Sequence, residues 1–148
     1  MSNIDLIQIR DAALQTEEVV RFVTDPSAGG IDIFLGTTRN ETASDGRTLL
    51  ALDYEAYSEM ALKQMQDLAR RARNRWPVTK IAILHRVGRI NIGDPSVIIA
   101  VSCPHRAESF EACRFLIDTL KAEVAIWKKE VWADGSTSWV DPSTGSMK

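Results

Sequence analysis

Cysteine is nearly absent from this chain: Cys103 and Cys113 are the only two. Two cysteines build no disulfide framework, so the composition fits a reducing cytoplasm rather than a secreted scaffold. Histidine is equally scarce, with His85 and His105 alone. Cys103 beside His105 is a fragment of a metal site without remote partners, and no metal is expected. Charge of one sign is lacking too. The formal net charge of -2 supplies no bulk attraction to nucleic acid or acidic membranes. No apolar run approaches the roughly 20 residues of a membrane span. Residues 1–5 carry neither a basic segment nor a long apolar one, so no secretory leader is expected. Gly-rich phosphate loops, paired-carboxylate motifs and Ser-His-Asp signatures are also missing.

What is present reads as one domain over residues 1–148, long enough to bury a sizeable core. A strand is expected at 4–9 and a short helix at 16–24, opened by Glu17 and Glu18. A second strand is expected at 31–38, with Gly36 marking a bulge or a close backbone approach. The breaker-rich stretch 39–47 reads as a mobile loop. Residues 48–57 form a strand with Leu50, Leu52, Tyr54 and Ala56 on one face. Ser58 is placed to cap a helix whose Ala61, Met65, Leu68 and Ala72 face the core, and Trp76-Pro77 ends it. A strand at 78–87, a connection at 88–95 and an apolar central strand at 96–102 follow. The next helix, 106–124, carries Phe110, Cys113, Ile117 and Leu120 on one stripe. Strands at 126–132 and 137–140 flank an Asp134-Gly135 turn, and the tail 141–148 is expected to be flexible. Strands and helices do not alternate regularly, so the class is α+β rather than a doubly wound sheet.

The chemistry concentrates between Val101 and Glu130. An apolar strand delivers His105 and Arg106 to a helix N-terminus, where the backbone is already partly positive. Unpaired N–H groups plus two cationic side chains make an anion site. Lys121 falls at the edge of the buried stripe of the same helix. Asp118 is three residues before it, so a surface ion pair competes with a catalytic role. Lys128 lies between Ile126 and Glu130 on one strand face; it either snorkels or joins Lys121 in a cation pair that favours a neutral, reactive amine. Arg39 opens the loop after a strand, as a binding group or an exposed arginine. His85 ends an apolar strand as a satisfied structural histidine, and Cys113 is a packing residue. Arg70, Arg71, Arg73 and Arg75 read as a solvated helix end rather than a nucleic-acid patch.

Several stretches together resemble the large, catalytic subunit of molybdopterin synthase. They are Phe34-Leu35-Gly36-Thr37-Thr38-Arg39-Asn40, Leu52-Asp53-Tyr54-Glu55-Ala56-Tyr57, Ala72-Arg73-Asn74-Arg75-Trp76-Pro77, His85-Arg86-Val87-Gly88, Gly93-Asp94, His105-Arg106 with Phe110-Glu111-Ala112, Asp118 to Lys121, and Trp127-Lys128-Lys129-Glu130. The resemblance implies an α/β-hammerhead fold with a mostly antiparallel sheet, and a homodimer that binds two small ubiquitin-like sulfur carriers as a heterotetramer. It implies conversion of cyclic pyranopterin monophosphate (precursor Z) to molybdopterin, with sulfur supplied by the thiocarboxylate on the carrier's Gly-Gly tail. No cofactor is implied. The lysines matching those the family uses are Lys121 and Lys128, expected as catalytic groups, and Arg39, His105 and Arg106 can supply the rest of a cationic pocket as substrate-binding groups. The acidic-to-neutral tail after Trp139-Val140 departs from the family's more basic one. A non-catalytic module of the same fold, docking an extended anionic peptide tail, is the alternative reading. Along one helix, Arg106 and Lys121 lie about 22 Å apart, so a shared site across a dimer is expected.

Overall fold

The computed structural model describes residues 5–140. Eight strands and three helices occur among them, in the order β1 (Leu6–Arg10), α1 (Thr16–Val23), β2 (Gly30–Thr37), β3 (Leu49–Ala56), α2 (Ser58–Arg75), β4 (Lys80–Arg86), β5 (Gly88–Asn91), β6 (Pro95–Cys103), α3 (Arg106–Glu123), β7 (Ile126–Trp132) and β8 (Thr137–Trp139). They form two four-stranded sheets, β1-β4-β6-β2 and β5-β3-β7-β8. Every pairing is antiparallel except β1 with β4, so the chain is α+β. Among the described residues no helix is long and apolar enough to cross a membrane. The tail 141–148 lies outside the described residues.

The first sheet is covered on both faces, which is why β4 and β6 read as continuous apolar runs. Ile81, Ile83, Val97, Ile99 and Val101 pack against α2 and α3, while Ala82, Leu84, Ile98 and Ala100 pack against Val19 and Val23 of α1. β2 is the outer strand. Its Phe34 joins the α2–α3 core, but Ile31 and Leu35 on the opposite face stay exposed because α1 is too short to cover them. A side chain at Gly36 would put its Cβ 2.6 Å from Val97 Cγ1, and the register shifts between Gly36 and Thr37. Both the close approach and the irregularity expected there are found.

Six local expectations change. Leu50 does not share the inner face of β3: the register slips between Leu49 and Ala51, which turns Leu50 out to 51% exposure and Leu49 inward. Ser58 does not cap α2; Tyr57 is the N-cap residue, with no side-chain cap bond. The connection 88–95 contains β5, which hydrogen-bonds to β3 and so widens the second sheet. Phe110 is not on the buried stripe of α3. Ala112 and Leu116 take that place beside Cys113, Ile117 and Leu120, and Phe110 is 57% exposed. The stretch 39–47 is a small hairpin closed by a Thr42–Thr48 bridge and an Ala43 N–H to Arg47 carbonyl bond. In the arginine cluster, Arg70 and Arg71 pair with Asp67 as expected, but Arg73 turns inward onto Asp5.

Candidate active site

The second sheet faces the C-terminal half of α3 and the end of the first sheet across a cleft. Lys121 and Lys128 both line it. α3 stops at Glu123, and Val124 returns its N–H to the Leu120 carbonyl. The Ala125 N–H is held by Gln64 Oε1 at 2.8 Å, and its carbonyl accepts from Tyr57. This anchored link turns the chain from helix into strand within two residues. It brings two lysines seven residues apart to one cavity.

The outer lobe of the cleft has a volume of about 430 Å³ and is bounded by Gly36, Arg39, Glu41, Tyr54 and Glu130 together with the two lysines. The inner lobe is smaller, about 80 Å³, and is walled by Ile117, Leu120, Val124, Ile126 and Trp127, with Tyr54, His85 and Ser96 as its other polar groups. Across β3 and β7 the register sets Tyr54 beside Lys128 and Leu52 beside Glu130, so one strand-pair face supplies both lobes.

Electrostatics differ from residue to residue. Lys121 is exposed as a residue, yet the walls around its amine lower its pKa by desolvation. Asp118 does not neutralise it; that carboxylate pairs with Arg114 at 3.4 Å. The ion pair that competed with a catalytic role is therefore made by another residue. Arg39 reaches Glu41 at 3.2 Å and is two-thirds exposed, free to swing onto a ligand. Burial raises the Tyr54 pKa, partly opposed by its hydrogen bond with Ser96. Glu130 is held in a chain in which Trp132 Nε1 donates to Ser138 Oγ and Ser138 Oγ donates to Glu130.

His105 and Arg106 do not reach this cleft within one chain. His105 is the N-cap residue of α3, in extended conformation and without a side-chain cap bond, and both residues are exposed. That helix end is pinned against the start of β2: Ser109 Oγ donates to the Gly30 carbonyl at 2.9 Å, and a Cβ on Gly30 would lie 2.9 Å from Arg106 Cα. Three of the five candidate residues, Arg39, Lys121 and Lys128, thus line one cleft, and the other two sit at the far end of α3.

Sequence reasoning missed Tyr54, Ser96, Glu130 and the cleft-facing side of His85. The usable signal for His85 was its spacing from Ile81 and Ile83, which puts it on the core face at a strand end. Both cysteines are free and buried. Burial pushes both thiols up, Cys113 to about 12, so neither is a thiolate at neutral pH.

Residues 9–123 match the family model described as MoaE protein. A molybdopterin synthase catalytic subunit from a Nostoc species is 44% identical over 92% of this chain and 82% of its own. The crystal structure of molybdopterin synthase from Staphylococcus aureus superposes with a TM-score of 0.86 at 35% identity, covering 91% of this chain and 96% of that one. A complex of subunits 1 and 2 of molybdopterin-converting factor from Helicobacter pylori, at 18% identity and a TM-score of 0.76 over 94% of this chain and 91% of that one, shares the fold.

Proposed function

The chain belongs to the MoaE protein family, and from that premise we propose that it is the catalytic subunit of a molybdopterin synthase. It converts cyclic pyranopterin monophosphate to molybdopterin in molybdenum cofactor biosynthesis, taking sulfur from the thiocarboxylate of a small ubiquitin-like carrier. The observation that carries this reading is the convergence of Lys121 from α3 and Lys128 from β7 on one cleft with Arg39 at its outer lobe. A cyclic phosphate and a thiocarboxylate are both anions, and a chain of net charge -2 must gather cations locally to hold them. The narrow inner lobe, walled by Trp127, Ile117 and Leu120, suits an extended Gly-Gly tail without side chains. The carrier brings the sulfur nucleophile, so no protein thiol is needed. The chain's task is to orient two partners and stabilise developing charge.

Two free, buried cysteines support a reducing cytoplasm as the place of reaction. A homodimer with a shared site is supported by the separation of His105 and Arg106 from the cleft. Phe110, one turn beyond Arg106, and Ile31 on the outer strand are both exposed apolar groups close to that helix end. A second copy covering them would bring His105 and Arg106 to an interface, and two carriers would complete a heterotetramer. The reading is tested by mixing the chain with thiocarboxylated carrier and pyranopterin monophosphate and looking for the dithiolene. Carrier binding without any turnover would leave only the alternative, a non-catalytic module that docks an anionic peptide tail.

A further inference from the structure

His85 stands in the inner lobe with one ring nitrogen unused. It lies between Ile9 of β1 and Val97 of β6 and is 4% exposed. Its Nδ1 is 2.8 Å from the Arg86 carbonyl oxygen. A carbonyl only accepts, so Nδ1 carries the proton and Nε2 is a bare acceptor. The Tyr54 ring packs edge-on at 5.1 Å and holds the imidazole in this orientation. Nε2 has no hydrogen-bond partner among the described residues.

The other polar groups nearby leave little to compete for it. The Tyr54 hydroxyl is hydrogen-bonded with Ser96, and Ser96 Oγ reaches the Gly36 carbonyl at 3.4 Å. Lys121 is the group whose charge His85 feels from across the lobe. Among the described residues that lysine has no carboxylate partner, since Asp118 is taken by Arg114.

We propose that His85 is the positioning residue for Lys121: its Nε2 accepts a hydrogen bond from the Lys121 amine and holds it at the inner lobe without supplying negative charge. The flexible lysine stem lets the amine swing onto Nε2 in the free chain as well as in the complex. A carboxylate in the same place would orient the amine equally well but would stabilise the ammonium and oppose proton release. A neutral imidazole orients the amine and favours the ammonium far less than a carboxylate would. It stays neutral because burial and the Lys121 charge both lower its pKa, to about 4. The other charged or titratable groups around the cleft are Tyr54 of β3, Lys128 and Glu130 of β7, and Arg39 and Glu41 beyond β2.

The inference rests on the reading of Lys121 as a reacting group, and two variants separate it from a packing role. His85→Gln keeps a neutral acceptor, whereas His85→Phe keeps ring volume and removes the acceptor. In the assembled enzyme, His85→Phe should lower kcat about 10–100-fold, the loss expected from a displaced reacting group, with KM for the carrier unchanged. His85→Gln should stay close to wild type. The titration of Lys121, followed by NMR of labelled lysines in the chain alone, should move down in His85→Phe and stay in place in His85→Gln, because only the first leaves the ammonium without an acceptor. If His85→Phe does not fold, His85→Leu replaces it in both measurements. Equal losses in the two variants, or an unmoved Lys121 titration in the acceptor-free variant, would overturn the proposal. The titration needs neither carrier nor substrate, so it decides this point even if Lys121→Ala proves fully active, a result that would sink the functional reading instead.

Discussion

At its N-terminal end α3 holds His105 and Arg106 out in solvent, with no cap bond to either side chain; at its C-terminal end Lys121 enters a cleft whose walls lower its pKa. Both ends carry cations, but they do different physical work. At the N-terminus the helix dipole and the side chains have the same sign, so the end attracts anions and destabilises the free chain slightly. At the C-terminus a lysine suits the dipole, and the cost is the desolvation imposed by the cleft. The first arrangement fits binding a phosphate. The second fits a group that must change its protonation state. The proposed site uses both, and a single helix holds them at opposite ends.

The sharpest way to break this contrast is at Lys121. Lys121→Ala should lose about 10²–10³-fold in rate, the scale of one transition-state charge contact, while still binding the carrier. Lys121→Arg should not rescue it, since a guanidinium cannot release a proton. Steady-state turnover with a carrier-binding titration reads both. At the other end, Arg106→Ala should weaken pyranopterin binding about 10-fold or more, as expected for a lost charge-assisted contact, and leave carrier binding alone. Mixing Lys121→Ala chains with His105→Ala/Arg106→Ala chains then tests whether the two ends meet across a dimer. Partial return of activity after subunit exchange is the expected outcome. No return despite demonstrated exchange would show that each chain has its own complete site.

The same contrast explains what could be read from the sequence. Lys121 and Lys128 were legible because each follows from its own element's period plus one short turn, all within eight residues of chain. The strands of the first sheet were legible because burial on both faces leaves continuous apolar runs. The inward side of His85 was not, because it depends on Tyr54 of β3 arriving from the second sheet. Leu50 and Phe110 were misplaced for a related reason. A bulge at Leu49–Ala51 reverses the alternation that periodicity assumes, and an apolar side chain on a helix need not be buried if its face is left uncovered. Periodicity assigns faces, but neighbours decide which face is inside.

A smaller effect sharpens the difference between the cleft's two nitrogen bases. His85 has a folded pKa of about 4 against an ordinary 6.5. Between those values the unfolded chain binds more protons than the folded one, so stability falls as pH drops from about 6.5 toward 4 and is fully present above it. The full linkage is on the order of 3 kcal/mol. Urea unfolding at pH 7 and pH 5 should show about 2 kcal/mol of this loss in the wild type and a flatter response in His85→Gln. Carboxylates held below their usual range, such as Glu18 by Arg10, contribute at lower pH and do not mask it. An identical pH slope in the two proteins would show that His85 is not held neutral by the fold.

The smallest effect is expected where a sulfur-transfer reaction invites the largest guess. Cys103 and Cys113 are 0% and 2% exposed, and neither lines the cleft. Cys113 points its thiol toward the Ile99 carbonyl at 3.8 Å, inside the core between α3 and the first sheet. Burial first, then Asp32, keeps it protonated. A protonated, enclosed thiol is a poor nucleophile and a poor sulfur carrier. Replacing both cysteines with alanine should therefore leave dithiolene formation within about twofold of wild type, while the lost packing costs about 1–2 kcal/mol of stability. Turnover and thermal melting on the same sample separate the two effects. If the doubly substituted chain melts cooperatively yet transfers no sulfur, a protein thiol takes part after all, and the roles given to the two lysines must be reassigned.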